Sequence, residues 1–244
     1  MNILHAAKGI KAFTAIVRDP NRLNEVFALR EVLGTEERLA APVAALRRHP
    51  QGAAAFAAKR RLSVDLDALR RLPAGTLGCV FADFLKENQL DPGAIPRLEA
   101  ATDVDYFSAH LYETHDLWHV LTGFGVDVAG ELGLQAFYAT QFPGGLPLII
   151  LAAGFFNTLL LGADDHEARI AEISRGFALG REAKLLFGIA WGDHWGRPLA
   201  DVRAEFGLLA VTDALGSTSA PSPASRTDAL GSTSAPSPAS RTDA

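Results

Sequence analysis

The stretch HDLWHVLTGFGVDVAGE, His115 to Glu131, sets two histidines and three acids into otherwise apolar sequence. Each residue of an α-helix advances about 100° around the axis. Measured from His115, His119 lies about 40° away and Asp116 about 100° away, so one helix presents all three on about a third of its circumference. Two histidines at i and i+4 is the spacing at which one helix offers two imidazoles to one ion. The neighbouring aspartate can add an oxygen or orient an imidazole from behind. Glu131 cannot join them on a straight helix, because twelve residues carry it about 18 Å along the axis. The interval holds Gly123 and Gly125, residues suited to a sharp helix end. It also holds Asp127, which can cap a new helix, VAGELGLQAFYATQF. The reading is a helical hairpin that returns Glu131 over His115 and His119.

His115, Asp116, His119 and Glu131 then form a nitrogen and oxygen set that suits Zn²⁺, with Mn²⁺ or Fe²⁺ as alternatives. Spacing alone leaves the bland alternative open, in which the four are satisfied polar groups of an ordinary core. His110 lies about 140° round from His115 and reads as a bystander on a pocket wall.

Outward from the hairpin the periodicity stays helical. DVDYFSAHLYETHDLWHVLTG reads as one long helix with Asp103 as its N-cap. TLGCVFADFLKENQL keeps Leu77, Val80, Phe81, Phe84 and Leu85 on one side. GTEERLAAPVAALRRHP reads as two short pieces around Pro42, and NRLNEVFALREVLG as a helix stopped at Gly34. DDHEARIAEISRGFALGREAKLLFGIAWG reads as another helix, with acids first and bases later, as the helix dipole favours. Gly176 and Gly180 within it suggest a close helix approach, or room left for an apolar ligand. Alternating strand patterns are scarce, so the fold class is all-α.

LPLIILAAGFFNTLLLG, residues 146–162, is too short for a bilayer span and is broken by Pro147, Gly154 and Asn157. It reads as a buried helix that protein or an apolar ligand must cover. The N-terminal MNILHAAKGIKAFTAIVRDP holds Lys8, Lys11 and Arg18 and no acid before Asp19. It shows no signal-peptide pattern. Ile3, Leu4, Ile10, Phe13, Ile16 and Val17 fit one stripe, of a helix packed on the domain or lying on anionic lipid. A net charge of -5 argues against nucleic acid as partner. The single Cys79 excludes an internal disulfide and a cysteine-rich zinc site.

The tail is different in kind. TDALGSTSAPSPASR fills residues 212–226 and repeats unchanged over 227–241. Without aromatics it cannot bury enough surface to offset ordering entropy, so it reads as disordered. The division is a helical domain over 1–211 and a low-complexity tail over 212–244.

HDLWH, eleven residues and a glutamate resembles the HDxxH-x11-E signature of the coenzyme Q (ubiquinone) biosynthesis protein four family. RLPAGTLGCVFADFLKENQLDP, VRDPNRLNEVFALREVLG and GREAKLLFGIAWGDHWGRPLADVRAEFGL are similar to three further blocks of it. Together they cover most of residues 10 to 210. Trp118 and Phe81 depart from it, standing where tyrosine is commoner, and the repeat tail has no counterpart. The resemblance implies a mostly helical protein peripheral to a membrane. That membrane would be the cytoplasmic face of an inner membrane, or the mitochondrial inner membrane in a eukaryote. It implies a divalent ion, usually zinc, on His115, Asp116, His119 and Glu131. It further implies removal of the C1 carboxylate from a polyprenyl hydroxybenzoate, in some accounts coupled to oxidation, and an organising role among the other biosynthetic enzymes.

On this reading Glu131 and His119 are the candidate catalytic residues, with Glu131 or a bound water supplying a proton to the ring. Leu146–Leu161, with Phe155 and Phe156, are candidates for a groove around the prenyl tail. Arg175, Arg181 and Lys184 are candidates for an anionic head group. Ordinary packing and surface salt bridges are the alternatives for these. The competing functions are a non-catalytic prenyl-lipid scaffold and a helical HD-type metal phosphohydrolase. The latter needs an upstream histidine, for which His110 is an awkward stand-in. An HExxH protease is disfavoured because Asp116 stands where its glutamate belongs. Leucine- and alanine-rich faces are compatible with a homodimer.

Overall fold

Asp65, Thr76, Thr102 and Asp127 each stand at a helix start and accept from a backbone amide the helix would otherwise leave free. The computed structural model describes residues 3–19, 32, 36–92, 97–161 and 164–209. Among these residues are ten α-helices: α1 (Ile3–Arg18), α2 (Glu36–Arg48), α3 (Pro50–Ala58), α4 (Leu66–Arg70), α5 (Leu77–Glu87), α6 (Asp103–Thr122), α7 (Val128–Gln141), α8 (Gly145–Leu161), α9 (His166–Glu182) and α10 (Leu199–Phe206). A 3-10 turn, Trp191–His194, precedes α10. No strand forms among the described residues, and one isolated bridge joins Thr76 to Pro198. The all-α expectation holds. The NRLNEVFALREVLG segment lies outside the described residues apart from Val32, as does the whole repeat tail.

Helix α6 runs through the main core. Leu117, Trp118 and Leu121 are fully buried, with α5 supplying Leu77, Phe81 and Leu85 and α7 supplying Leu134 and Phe137. After α9 the chain folds Leu186, Phe187 and Trp191 into the same cluster. α9 packs closely along α7, because a Cβ on Gly176 would collide with the Gly133 carbonyl oxygen and one on Gly180 with the Thr140 hydroxyl. The two glycines do permit the close approach their spacing suggests.

Five expectations need correction. Thr102, not Asp103, caps α6: its hydroxyl accepts from the Asp105 amide at 3.1 Å while the Asp105 carboxylate accepts from the Thr102 amide at 3.0 Å. Such a capping box satisfies two free amides at once, which a lone Asp103 cannot. Pro42 lies inside α2 instead of dividing it. Proline there forfeits one helical hydrogen bond, and Pro42 is buried together with Val43 and Leu46. α9 ends at Glu182, because Ala183 turns extended and Leu186 and Phe187 drop into the core. Ile10 leaves the apolar stripe of α1, being 67% exposed, while Ala12 takes a buried position.

The fifth correction is the largest. The described part of that run, 146–161, forms α8 as a helix, but only one face of it is covered. Leu151, Ala153 and Asn157 are buried against neighbours, whereas Leu148, Phe155, Phe156, Leu159 and Leu160 are exposed. α1 and α7 are the helices against which it mainly packs. Two neighbours cannot enclose a helix that is apolar all round.

Candidate metal centre

The C-terminal half of α6 carries His115 and His119, and its end is unusually well closed. Gly123 adopts φ 74°, a left-handed geometry that costs glycine little, and returns its amide to the His119 carbonyl at 2.8 Å. The carbonyls of Val120 and Leu121 accept from Arg203 at 2.7 and 3.0 Å. Those of Thr122 and Gly123 accept from Arg175 at 3.1 and 3.3 Å. The carbonyls a helix normally leaves free at its C-terminus are therefore all satisfied. Arg175 also lies over the Phe124 ring at 3.8 Å. Asp127 then caps α7 as its position suggests, accepting from the Gly130 amide at 2.7 Å.

The hairpin brings Glu131 back to the two histidines. His119 Nε2 is 3.3 Å from Glu131 Oε1, His115 Nε2 is 3.8 Å from Oε2, and the two Nε2 atoms are 3.4 Å apart. Donor atoms sharing one tetrahedral ion at about 2.0 Å stand about 3.3 Å from one another. These residues thus fit an ion bound between them, and His115, His119 and Glu131 are the described trio whose ligand atoms all lie within 4.8 Å. Asp116 stands outside the trio. Its effect is felt through charge, at His115 and at Tyr138.

The outward ring nitrogens are also occupied. His119 Nδ1 is 3.2 Å from the Phe124 carbonyl, which can only accept, so Nδ1 carries a proton and Nε2 is the nitrogen turned to Glu131. His115 Nδ1 is 3.4 Å from the Tyr138 hydroxyl. His119 is buried, whereas His115 and Glu131 keep about a third of their side chains exposed. Partial burial works to raise the Glu131 carboxyl. The hydrogen bonds and charges of His115 and His119 outweigh it and hold the group well below the usual carboxylate range. Burial works to lower His115, yet Glu131 and then Asp116 raise it above its ordinary value. Glu131 is thus held toward its anionic form, which suits ligation.

The other predicted site residues lie elsewhere. Arg175 is engaged by α6 carbonyls and by Glu172 at 2.7 Å, so its guanidinium closes a helix. Arg181 is exposed in the last turn of α9. Phe155 and Phe156 are on α8, where Phe156 meets Phe13 edge-to-face at 6.1 Å. His110 does not join the trio: it is buried, its Nε2 accepts from the Gly188 amide at 3.0 Å, and it borders a cavity of about 320 Å³ with Thr114, Arg61 and Trp191. Tyr138 and Arg203 were not singled out by sequence. The available signal for Tyr138 was its place seven residues after Glu131, on the same face of α7.

A family model described as coenzyme Q (ubiquinone) biosynthesis protein Coq4 matches residues 4–213. The chain is 32% identical to the mitochondrial ubiquinone biosynthesis protein COQ4 homolog of Homo sapiens over 171 residues, 68% of this chain and 63% of that protein. It is 30% identical to the Bos taurus homolog over 196 residues, 78% of this chain and 72% of the relative. The match thus spans less than two thirds of the human protein's length. Among solved structures, one from Nostoc punctiforme PCC 73102, assigned provisionally to ubiquinone biosynthesis, superposes with a TM-score of 0.73 at 28% identity. It covers 83% of this chain and 98% of its own.

Proposed function

As this chain belongs to the coenzyme Q (ubiquinone) biosynthesis protein Coq4 family, we propose that it serves ubiquinone biosynthesis as a metal-dependent C1 decarboxylase of a polyprenyl hydroxybenzoate. The observation that carries the reading is the convergence of two imidazole Nε2 atoms and one carboxylate, each separated from the next by 3.3 to 3.8 Å. His115, His119 and Glu131 would hold the ion, Zn²⁺ by ligand type or else Mn²⁺ or Fe²⁺, with Asp116 contributing charge from beside His115. When bound, the ion supplies Lewis-acid and template chemistry for an anionic ring substrate.

The chain's own groups set the rest. Phe124 and Tyr138 aim the two imidazoles. Glu131, held anionic, stays a ligand. In the reaction the bond between C1 and its carboxylate breaks, the electron pair stays on the ring carbon, CO₂ leaves, and a proton from water takes its place.

The bare face of α8, with Lys8, Lys11 and Arg18 exposed on neighbouring α1, supports a prenyl-lipid partner and a peripheral site on a membrane surface. No helix of the described residues is long and apolar enough to cross a membrane. The membrane would be the cytoplasmic face of an inner membrane, or the mitochondrial one in a eukaryote. The same face favours a second reading, a lipid-presenting scaffold among the other ubiquinone-biosynthesis enzymes, in which the protein binds without turnover. The HD phosphohydrolase reading loses its required upstream histidine, since His110 faces Gly188 instead of the trio.

Purified protein with a divalent ion and a synthetic polyprenyl hydroxybenzoate should release CO₂, and Glu131→Gln should lose both the ion and the release. Binding without release leaves the scaffold. Absence of metal uptake by the unaltered protein overturns the centre itself.

A further inference from the structure

The two histidines of the trio are supported in different ways. His119 is clamped by the loop that ends its helix and by α5: its Nδ1 meets the Phe124 carbonyl at 3.2 Å and its ring stacks on Phe84 at 5.9 Å. His115 is more exposed, and the polar atom beside its Nδ1 comes from the other helix, the Tyr138 hydroxyl of α7 at 3.4 Å. The two rings lie nearly parallel, 15° apart with centroids 6.1 Å apart. Tyr138 is itself pinned. It is 5% exposed, and Trp118 stacks on it at 4.5 Å and 15°. Trp118 is fully buried and three residues after His115, so α6 carries both the ring to be aimed and the ring that fixes its support.

From this we infer that Tyr138 is a positioning residue for His115, its hydroxyl engaging Nδ1 so that Nε2 is the nitrogen turned toward Glu131 and His119, where an ion would sit. The inference rests on the metal reading above for its consequence, and on the ring geometry for the orientation of His115. A neutral imidazole has one proton to place, and a group that takes it at Nδ1 leaves Nε2 free for an ion. Partners of this kind commonly change metal affinity about 10–100-fold. Glu131 and Tyr138 share one face of α7. A single helix therefore delivers a ligand and the support of another ligand, which ties the shape of the centre to the α6–α7 packing.

The test uses the full chain, with Co²⁺ as the spectroscopic probe and ¹⁵N-histidine labelling as an independent readout. Tyr138→Phe keeps the stacked ring and removes only the hydroxyl. Expected are a roughly 10–100-fold weaker Co²⁺ affinity, an unchanged melting temperature, and, in the Zn²⁺-loaded protein, a changed ¹⁵N signature at His115 with His119 unaltered. Equal Co²⁺ affinity together with an unaltered His115 signature overturns the inference. Should the variant not fold, the unaltered Zn²⁺-loaded protein still decides, because ligation through His115 Nδ1 instead of Nε2 is incompatible with it. Should the unaltered protein bind no Co²⁺, the metal reading fails and the inference with it, an outcome distinct from equal binding by both proteins, which overturns the role of Tyr138 alone.

Discussion

The α6–α7 hairpin and helix α8 break the same rule in opposite directions. In the hairpin a histidine is 1% exposed inside the main core, while on α8 a leucine, Leu159, is 78% exposed. Burying a polar group is costly unless it finds partners, and His119 finds them in Phe124 and Glu131. Leaving large apolar groups in water forfeits the burial that stabilises a fold, and α8 offers no internal compensation. The hairpin inverts polarity and satisfies it within the chain. α8 inverts polarity and leaves it for something outside. An exposed apolar face of this kind marks a contact surface more often than a defect.

The sharpest way to break the contrast is at the hairpin. His119→Ala should reduce Zn²⁺ uptake by more than about 100-fold, since outer partners alone account for 10–100-fold; elemental analysis after dialysis measures it. Uptake equal to that of the unaltered protein would place the ion elsewhere.

Next is acid. Burial, and then the charge of Arg61, lowers His110 from 6.5 to about 4, with Tyr106 and Phe187 packed on its ring. The unfolded chain binds this proton more readily than the folded one between those values, so stability present above pH 6.5 is lost as pH falls toward 4. The loss is on the order of 3 kcal/mol, read from urea denaturation at several pH values. His110→Gln should flatten that dependence, while α8 carries no group able to produce it.

A third effect sharpens how the hairpin is backed. Gly176→Ala inserts a methyl against the Gly133 carbonyl and Ala136. Overpacking of this kind costs about 1–3 kcal/mol, and a lower melting temperature reports it. The smallest effect on stability belongs to α8. Leu159→Ser should change folding stability by no more than about 0.5 kcal/mol, yet weaken binding to vesicles containing anionic lipid. Destabilisation like that of a core leucine would mean that α8 is covered within this chain.

Much of this was readable in one dimension. The helical hairpin followed from two histidines four apart, a glycine pair and an aspartate cap, each a local requirement of helix geometry. So did α5, whose apolar positions recur on one side, and the close contact at Gly176 and Gly180. Pro42 misled because a helix can absorb a proline when the packing of Pro42, Val43 and Leu46 stabilises it, and packing is non-local. Asp103 misled because Thr102 with Asp105 makes the better cap. Arg175 suggested a ligand for a head group, and its carbonyl partners come from residues 122 and 123, over fifty positions away.

By itself the sequence determined that the chain is helical, that His115 and His119 share a helix face, and that Glu131 must return on a second helix. These are consequences of a fixed rotation and rise per residue, which neighbours along the chain set. Only the tertiary structure decided that Asp116 stands outside the trio, that Tyr138 and Phe124 aim the imidazoles, that Glu131 remains an anion, and that α8 shows its apolar face to the outside. Those depend on which surfaces meet across the fold, and burial, tautomer and charge are properties of that meeting.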